Sequence, residues 1–422
     1  MRKTLLAVSV SALALLGACA PKAADPAPAE PTEVAAATPA EIHERLMVLD
    51  SHLDTPANLS KPDFDIMADN PSVIGEVQVD LPKMTRGGLD GGFWVIFTPQ
   101  GPLTDEAYEA ALQGATARQD EILAMVAAHP ESFELAYTAD DAERIAASGK
   151  RVVLQSIENS YPLKLDISNL QTFYDKGVRM VGLIHFRDNQ FGGSATDFTS
   201  PDSKGLTDLG KELVREANRL GMVVDGSHSS DASVKDMIEI STTPVILTHT
   251  GLKSVYDHPR NISDEFLKEI AAQGGVIQIN AYSGYLEQLE DTPERRAALE
   301  GLTAEFEGVD PFSADDETKA RYMARMTEIN EEFPPARSTF EKFMEHMLRA
   351  LELVGPDHVG MGADWDGGGG VTGMEDVSFL PKVTERLLAE GYTEEDLAKI
   401  WGGNLMRVLR QAEAAKEAPD AP

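Results

Sequence analysis

Cysteine is almost absent from this chain: its 422 residues hold one, Cys19. No internal disulfide can form, and no thiolate is at hand for an active site. Basic residues are scarce as well, with 37 Lys and Arg against 70 Asp and Glu and a formal net charge of −33. Nucleic-acid binding is driven by basic patches, so this balance argues against that class of partner. The acidic excess reads as a solvated surface. The N-terminal apolar stretch, Leu5 to Leu16, is too short to span a bilayer comfortably, and no internal repeat is visible. What remains is globular: 42% hydrophobic residues can fill a large core, and 25% charged residues is ordinary.

Arg2-Lys3 ahead of the Leu5–Leu16 stretch reads as a targeting segment. It ends in Leu16-Gly17-Ala18-Cys19, which resembles the bacterial lipoprotein signal, whose cysteine is lipidated and becomes the first residue. The expectation is a signal peptide over 1–18, a lipid anchor at Cys19, and a bacterial cell-envelope location facing the periplasm or exterior. An ordinary secretory peptide with an incidental cysteine is the plainer alternative. Residues 19–40, rich in Ala, Pro and Glu, read as a disordered tether, and 413–422 as a flexible tail.

Between them, 41–412 alternates short, branched apolar runs with amphipathic stretches, as βαβ units of a parallel sheet do. The runs are 47–53, 91–97, 152–157, 179–184, 222–226, 244–248, 276–280 and 358–362. Helices are expected over Thr104–Ala128, Leu206–Leu220 (ending at Gly221) and Ser263–Gln273 (ending at Gly274-Gly275), each with fitting cap residues. Eight strands with intervening helices favour a (β/α)8, TIM-like barrel over an open sheet, and such barrels reach this length as one domain. Residues 283–335 are charged and helix-prone, with Gly301 and Pro311 as breaks. A helical insertion before the last strand is expected there.

His52, His185, His228 and His249 fall at or just past the ends of these runs, where such barrels gather their chemistry. His52 and Asp54 share one strand face with Asp50, and an H-x-D pair suits a divalent metal. Glu158 ends the third run. His228 and His249 are 21 residues apart, about one helix plus one strand, so they belong on adjacent strands. Any one of these alone reads as a buried, hydrogen-bonded side chain. Together they make five ligands with one carboxylate shared, which suits two metals ~3.5–4 Å apart. Asp364, in Gly362-Ala363-Asp364-Trp365-Asp366-Gly367, can move a proton, whereas Asp366 fits a turn better. His185 is either a sixth ligand or a stabiliser of an oxyanion. Arg260 suits a bidentate carboxylate contact, or else a surface salt bridge. His43, His129, His346 and His358 read as structural, and Gly367 to Gly370 as a flexible loop.

At these residues the segment from Asp50 to Arg407 resembles the membrane dipeptidase (renal dipeptidase) family of amidohydrolase-type barrels. The motifs are Asp50-x-His52-x-Asp54, Ser227-His228, Thr248-His249, His258-Pro259-Arg260-Asn261, Gly274-Gly275-Val276, Gly355-x-Asp357-His358-Val359-Gly360-x-Gly362-x-Asp364-x-Asp366-Gly367 and Trp401-Gly402-Gly403-Asn404. The resemblance implies a metal-dependent amidohydrolase barrel with two zinc ions per chain. His52, Asp54 and Glu158 would hold one, and Glu158, His228 and His249 the other. His185 and Arg260 would contact the substrate, Tyr282 would line the pocket, and Asp364 would shuttle the proton. There is one departure. The family usually has glycines after the glutamate, where this chain has Asn159-Ser160-Tyr161-Pro162, and this bears on loop shape and substrate preference.

The implied activity is hydrolysis of dipeptides with a free C-terminal carboxylate, by a hydroxide bridging the metals. The partners expected are dipeptide substrates and a membrane held through the anchor, not nucleic acid; a homodimer is left open. One rival is another hydrolysis on the same scaffold, of an N-acyl amino acid, a lactone or a β-lactam. A second is a non-enzymatic periplasmic lipoprotein that binds metal or peptide, against which Asp364 argues, since a storage site needs no proton shuttle.

Overall fold

The computed structural model describes residues 37–199, 204–309 and 314–416, together with 7 and 9. Cys19, nearly all of the signal segment and tether, and the tail from 417 lie outside the described residues. From Thr38 onward the chain forms one compact unit. It opens with a short helix, Pro39–His43, capped by Thr38 in a reciprocal pair with Glu41.

Among the described residues nine strands form: β1 Leu49–Leu53, β2 Gly91–Phe97, β3 Phe133–Leu135, β4 Arg151–Glu158, β5 Val178–Gly182, β6 Val223–Asp225, β7 Val245–Thr250, β8 Val276–Ile279 and β9 Val359–Met361. Eight of them pair in parallel in the order β1-β2-β4-β5-β6-β7-β8-β9. They are buried along nearly their whole length, which is why they read as unbroken apolar runs rather than alternating ones. The ninth, β3, has no counterpart in the sequence reading. It is three residues long with Glu134 at its centre, too short for a periodic signal, and it pairs with the start of β4.

The ring is nearly closed between β9 and β1. One parallel bridge joins Leu53 to Trp365, with Asp54 N donating to Trp365 O at 2.8 Å. Side chains stitch the rest of the seam. Asp50 Oδ2 accepts from Ala363 N at 3.1 Å, and Ser51 Oγ lies 3.2 Å from Met361 O. Gly362 lies so close to Thr248 O and Ser51 Oγ that no Cβ could fit. The result is the TIM-like architecture expected, with helices around the strands.

Helix starts follow local chemistry. Thr104, Thr207, Ser230 and Ser263 each accept a backbone N–H of the first turn. Below the barrel, Leu49, Phe93, Leu154, Met180, Val223, Ile246 and Val276 cluster with Leu405, Met406, Val408 and Leu409 of the helix Asn404–Ala415. That amphipathic helix covers the N-terminal ends of the strands and extends into the stretch read as tail. The Trp401–Asn404 motif is part of this brace: Asn404 Nδ2 donates to Pro356 O and Val359 O at 2.7 and 3.0 Å. Within 283–335 lie the helices Ser283–Leu286, Pro293–Glu305 and Asp316–Glu332, the last two sharing a small core of Leu302, Phe306 and Ile329. Among the described residues no helix is long and apolar enough to cross a membrane.

Candidate metal centre

All seven ionisable residues singled out around the barrel mouth arrive at strand C-termini. His52 stands in β1 and Asp54 just after it, Glu158 is the last residue of β4, and His249 lies near the end of β7. His185, His228 and Asp364 each follow their strands β5, β6 and β9 by three residues. Five non-glycine residues among those described have left-handed backbone, and four are here: Asn159 (φ 63°), His228 (64°), Asp364 (65°) and Asp366 (66°). Such strain collects where the surroundings over-determine a functional geometry. Asn159 also accounts for the departure after Glu158. Asparagine is among the few non-glycine residues that enter this region readily, and its Oδ1 accepts from Asn189 Nδ2 at 3.0 Å.

Glu158 lies at the centre and its two oxygens face different neighbours. Oε2 is 3.6 Å from His52 Nε2, which in turn is 3.4 Å from Asp54 Oδ2. Oε1 is 3.1 Å from His228 Nε2, 3.5 Å from His249 Nε2 and 3.8 Å from His185 Nε2. The His228 and His249 Nε2 atoms are 2.9 Å apart. Ligand atoms sharing one tetrahedral zinc lie about 3.3 Å apart, given bonds near 2.0–2.1 Å, and these separations bracket that value. His52 Nε2 is buried with no hydrogen-bond partner. The donor set therefore fits two divalent cations with Glu158 between them. Two further groupings within metal-ligand reach draw in His185 with Glu158 and His228, and Asp364 with His52 and His249.

The electrostatics suit a site that receives positive charge. Asp54, Glu158 and Asp364 are all buried, and buried carboxylates need partners. Burial, with the charges of Asp54 and Glu158 adding and His52 opposing, pushes the Asp364 carboxyl well above its usual range. Burial also works to raise Glu158, but His52 and His185 outweigh it and hold that carboxyl well below its range. His228 and His249 are pushed well below the usual imidazole value, chiefly by burial. Both are thus neutral at pH 7, the form in which imidazole binds a metal, whereas His52, despite its burial, is pushed well above the usual value by Glu158 and Asp54. His185, packed between the rings of Phe97 and Phe186 at 4.8 and 3.9 Å, is lowered to about 4 by burial.

Arg260 is buried, not a surface residue. Its Nη2 donates to His249 O at 2.8 Å, its Nε has no partner, and no carboxylate pairs with it among the described residues. Tyr282 is 37% exposed at the mouth, against Gly368 and 4.4 Å from the Tyr285 ring. The glycines at 367–370 do more than form a flexible loop. A Cβ on Gly367 would collide with both Asp54 Oδ2 and Asp364 Oδ1, and one on Gly368 with Tyr282. Asp366 is a turn residue but also a brace: its Oδ1 accepts from Gln78 N at 2.6 Å while Gln78 Oε1 accepts from its own N. The histidines read as structural include His43, bonded to Thr384 and Gly87, His346, bonded to Leu252 and Leu286, and His358, bonded to Gly275.

Sequence reasoning passed over the layer behind these ligands. Asp50 Oδ1 accepts from His52 N at 2.8 Å. Asp225 and Thr248 stand behind His249, with Thr248 Oγ1 2.9 Å from His249 Nδ1. The available signal was a carboxylate or hydroxyl at the end of a buried apolar run, one to three residues before a histidine.

A family model described as membrane dipeptidase (peptidase family M19) matches residues 37–422. Dipeptidase ataJ of Aspergillus terreus is 31% identical over 396 residues, 87% of this chain and 85% of the relative. The crystal structure of the probable dipeptidase PvdM from Pseudomonas aeruginosa superposes with a TM-score of 0.77 at 30% identity, over 89% of this chain and 98% of that one. The structure of dipeptidase AC, a metallopeptidase of family M19, gives 0.69 at 25% identity, over 87% and 99%.

Proposed function

The chain belongs to the membrane dipeptidase family, peptidase family M19, and on that premise we propose that it hydrolyses dipeptides bearing a free C-terminal carboxylate, with two zinc ions per chain. The observation that carries the reading is the division of Glu158: one oxygen faces His52, the other His228 and His249. His52, Asp54 and Glu158 would hold one ion, and Glu158, His228 and His249 the other. When bound, the ions supply an activated water and polarise the scissile carbonyl.

The remaining roles fall to side chains around that cluster. His185, neutral because of its burial, offers an N–H to the carbonyl oxygen as negative charge develops there. Asp364 in its ionised form, made more basic by burial, takes a proton from the attacking water and passes it to the departing amine. Arg260, buried with Nε unused, clamps the substrate's C-terminal carboxylate. Because nothing can extend past such a clamp, dipeptides are favoured over longer chains. Tyr282 lines the entrance. We further propose, from the Leu16–Cys19 sequence, that Cys19 is lipidated and holds the barrel at the bacterial cell envelope.

The deciding experiment is initial rates on L,L- and L,D-dipeptides and their C-terminally amidated forms. Metal-replete protein should cleave the free acids and barely touch the amides, chelation should abolish the rate, and zinc should restore it. Full activity in metal-stripped protein would overturn the mechanism, and equal rates on acid and amide would overturn the clamp.

A further inference from the structure

Behind the metal-facing edge of His249 runs a short chain of hydrogen bonds with a definite direction. Asp225, the last residue of β6, is buried. Its Oδ1 accepts from Ser227 N at 2.9 Å and Thr248 N at 3.0 Å, and its Oδ2 from Thr248 Oγ1 at 2.6 Å. Thr248 Oγ1 in turn lies 2.9 Å from His249 Nδ1 and 3.1 Å from Ser227 Oγ. Ser227 Oγ accepts from His249 N at 3.2 Å.

Counting hydrogens fixes the direction. A threonine hydroxyl has one hydrogen and two lone pairs, and an aspartate surrounded by donors only accepts. Thr248 therefore gives its hydrogen to Asp225, and Ser227 gives its own to Thr248. Towards His249 the Thr248 oxygen can only accept, so Nδ1 carries the hydrogen. The lone pair is left on Nε2, the atom 3.5 Å from Glu158 Oε1. His228, in the same cluster, has no such support: its Nδ1 is buried without a partner among the described residues.

We propose that Asp225, acting through Thr248, is a positioning residue that locks His249 in the Nδ1–H tautomer and so sets how tightly the Glu158–His228–His249 cluster holds its ion. This rests on the reading of that cluster as a metal site. Outer partners of a metal-bound imidazole commonly fix its tautomer and alter affinity by ~10–100-fold when removed.

The relay can be reversed as well as broken. Asp225→Asn keeps an oxygen for the two backbone N–H groups but turns an NH2 towards Thr248. The hydroxyl then accepts from the amide, points its hydrogen at His249 Nδ1, and forces the imidazole proton onto the metal-facing Nε2. Thr248→Val removes the hydroxyl and leaves both tautomers open, whereas Thr248→Ser preserves the relay. Bound zinc per chain should be titrated against chelator-buffered free zinc in the full-length protein. Asp225→Asn should weaken one of the two sites by ~10–100-fold, Thr248→Val by less, and Thr248→Ser hardly at all. The double variant Asp225→Asn/Thr248→Val should bind zinc more tightly than Asp225→Asn alone, because the misdirected hydroxyl is gone. Imidazole 15N shifts of His249 in metal-free protein should report Nδ1–H in the parent and Nε2–H in Asp225→Asn.

A double variant at least as weak as the weaker single one would mean that Asp225 is merely structural, and the proposal falls. If His249→Ala costs one zinc while Asp225→Asn binds as the parent does, the relay alone is wrong. If His249→Ala costs no zinc, the metal-site reading falls and takes the proposal with it.

Discussion

The Nε2 atoms of His228 and His249 stand 2.9 Å apart, close enough for one ring to donate to the other or for both to face a single cation. Two independent features bring them there. His228 adopts a left-handed backbone at φ 64° past the end of β6, and His249 is fixed within β7 by the Thr248 contact at its far nitrogen. Glu158 Oε1 completes a triangle with sides of 2.9, 3.1 and 3.5 Å. The cluster is thus shaped by the barrel before any ion is considered, as a preorganised metal site requires.

Gly367 allows the approach of Asp54 and Asp364, since a Cβ there would run into an oxygen of each. Gly367→Ala should fold, because the loop is at the surface end of the barrel, at a cost of ~1–3 kcal/mol for overpacking. It should also displace both carboxylates, lowering zinc affinity and kcat together. Thermal melts with zinc titration on one preparation check this, and parent-like zinc binding would show that the loop yields instead.

Much of this architecture was legible in the sequence because buried parallel strands write themselves as apolar runs, and all eight barrel strands overlap the runs read from it. Helix caps such as Thr104 and Ser263 were equally plain. Phe133–Leu135 was not, since three residues with a central glutamate carry no period. The candidate ligand cluster was readable from its positions after the runs, but the layer behind it was not. Asp225 and Thr248 are ordinary strand-end residues until the fold brings β6 beside β7. Arg260 appeared as ready for a surface salt bridge as for a clamp, and its burial, with no carboxylate paired to it among the described residues, speaks against the first.

Asp90 supplies a pH dependence separate from the metal centre. Its Oδ2 accepts from Val48 N at 2.8 Å, and Arg151 lies 3.6 Å away. Burial nevertheless pushes its carboxyl up to about 6. A carboxyl raised on folding binds its proton more tightly in the native state. Its stabilising contribution is therefore full below the ordinary value near 4 and is lost as pH rises through about 6. The Asp90→Asn variant lacks this loss. Relative to the parent it should gain ~1–3 kcal/mol between pH 4 and pH 7.5, read as a difference in denaturant midpoints. A constant difference across that range would show that Asp90 does not titrate there.

The anchor is tested by chemistry at a single atom. Cys19 is the lone cysteine and follows Leu16-Gly17-Ala18, so the mature protein should begin there and be acylated. Several acyl chains give stable membrane attachment where one gives only marginal binding. Cys19→Ser should move the protein from the membrane fraction to the soluble fraction with no change in kcat on dipeptides. A membrane fraction identical to the parent's would refute lipidation at this residue.

Asp364 and Arg260 should separate in kinetics because their roles separate in time. Asp364→Asn keeps the side chain's size but cannot accept a proton. If Asp364 is the shuttle, zinc content should stay near the parent's while kcat falls by ~10²–10⁴, the usual scale for general acid–base catalysis. KM should move much less, because the lost interaction belongs mainly to the transition state. Arg260→Ala should give the opposite pattern, raising KM for dipeptides with a free carboxylate and mattering far less for amidated ones. The decisive measurement is zinc content beside kcat in Asp364→Asn. Asp364 Oδ1 is 4.0 Å from His52 Nε2, within reach of the same ion, so loss of zinc together with rate would make Asp364 a ligand and leave the proton to another group.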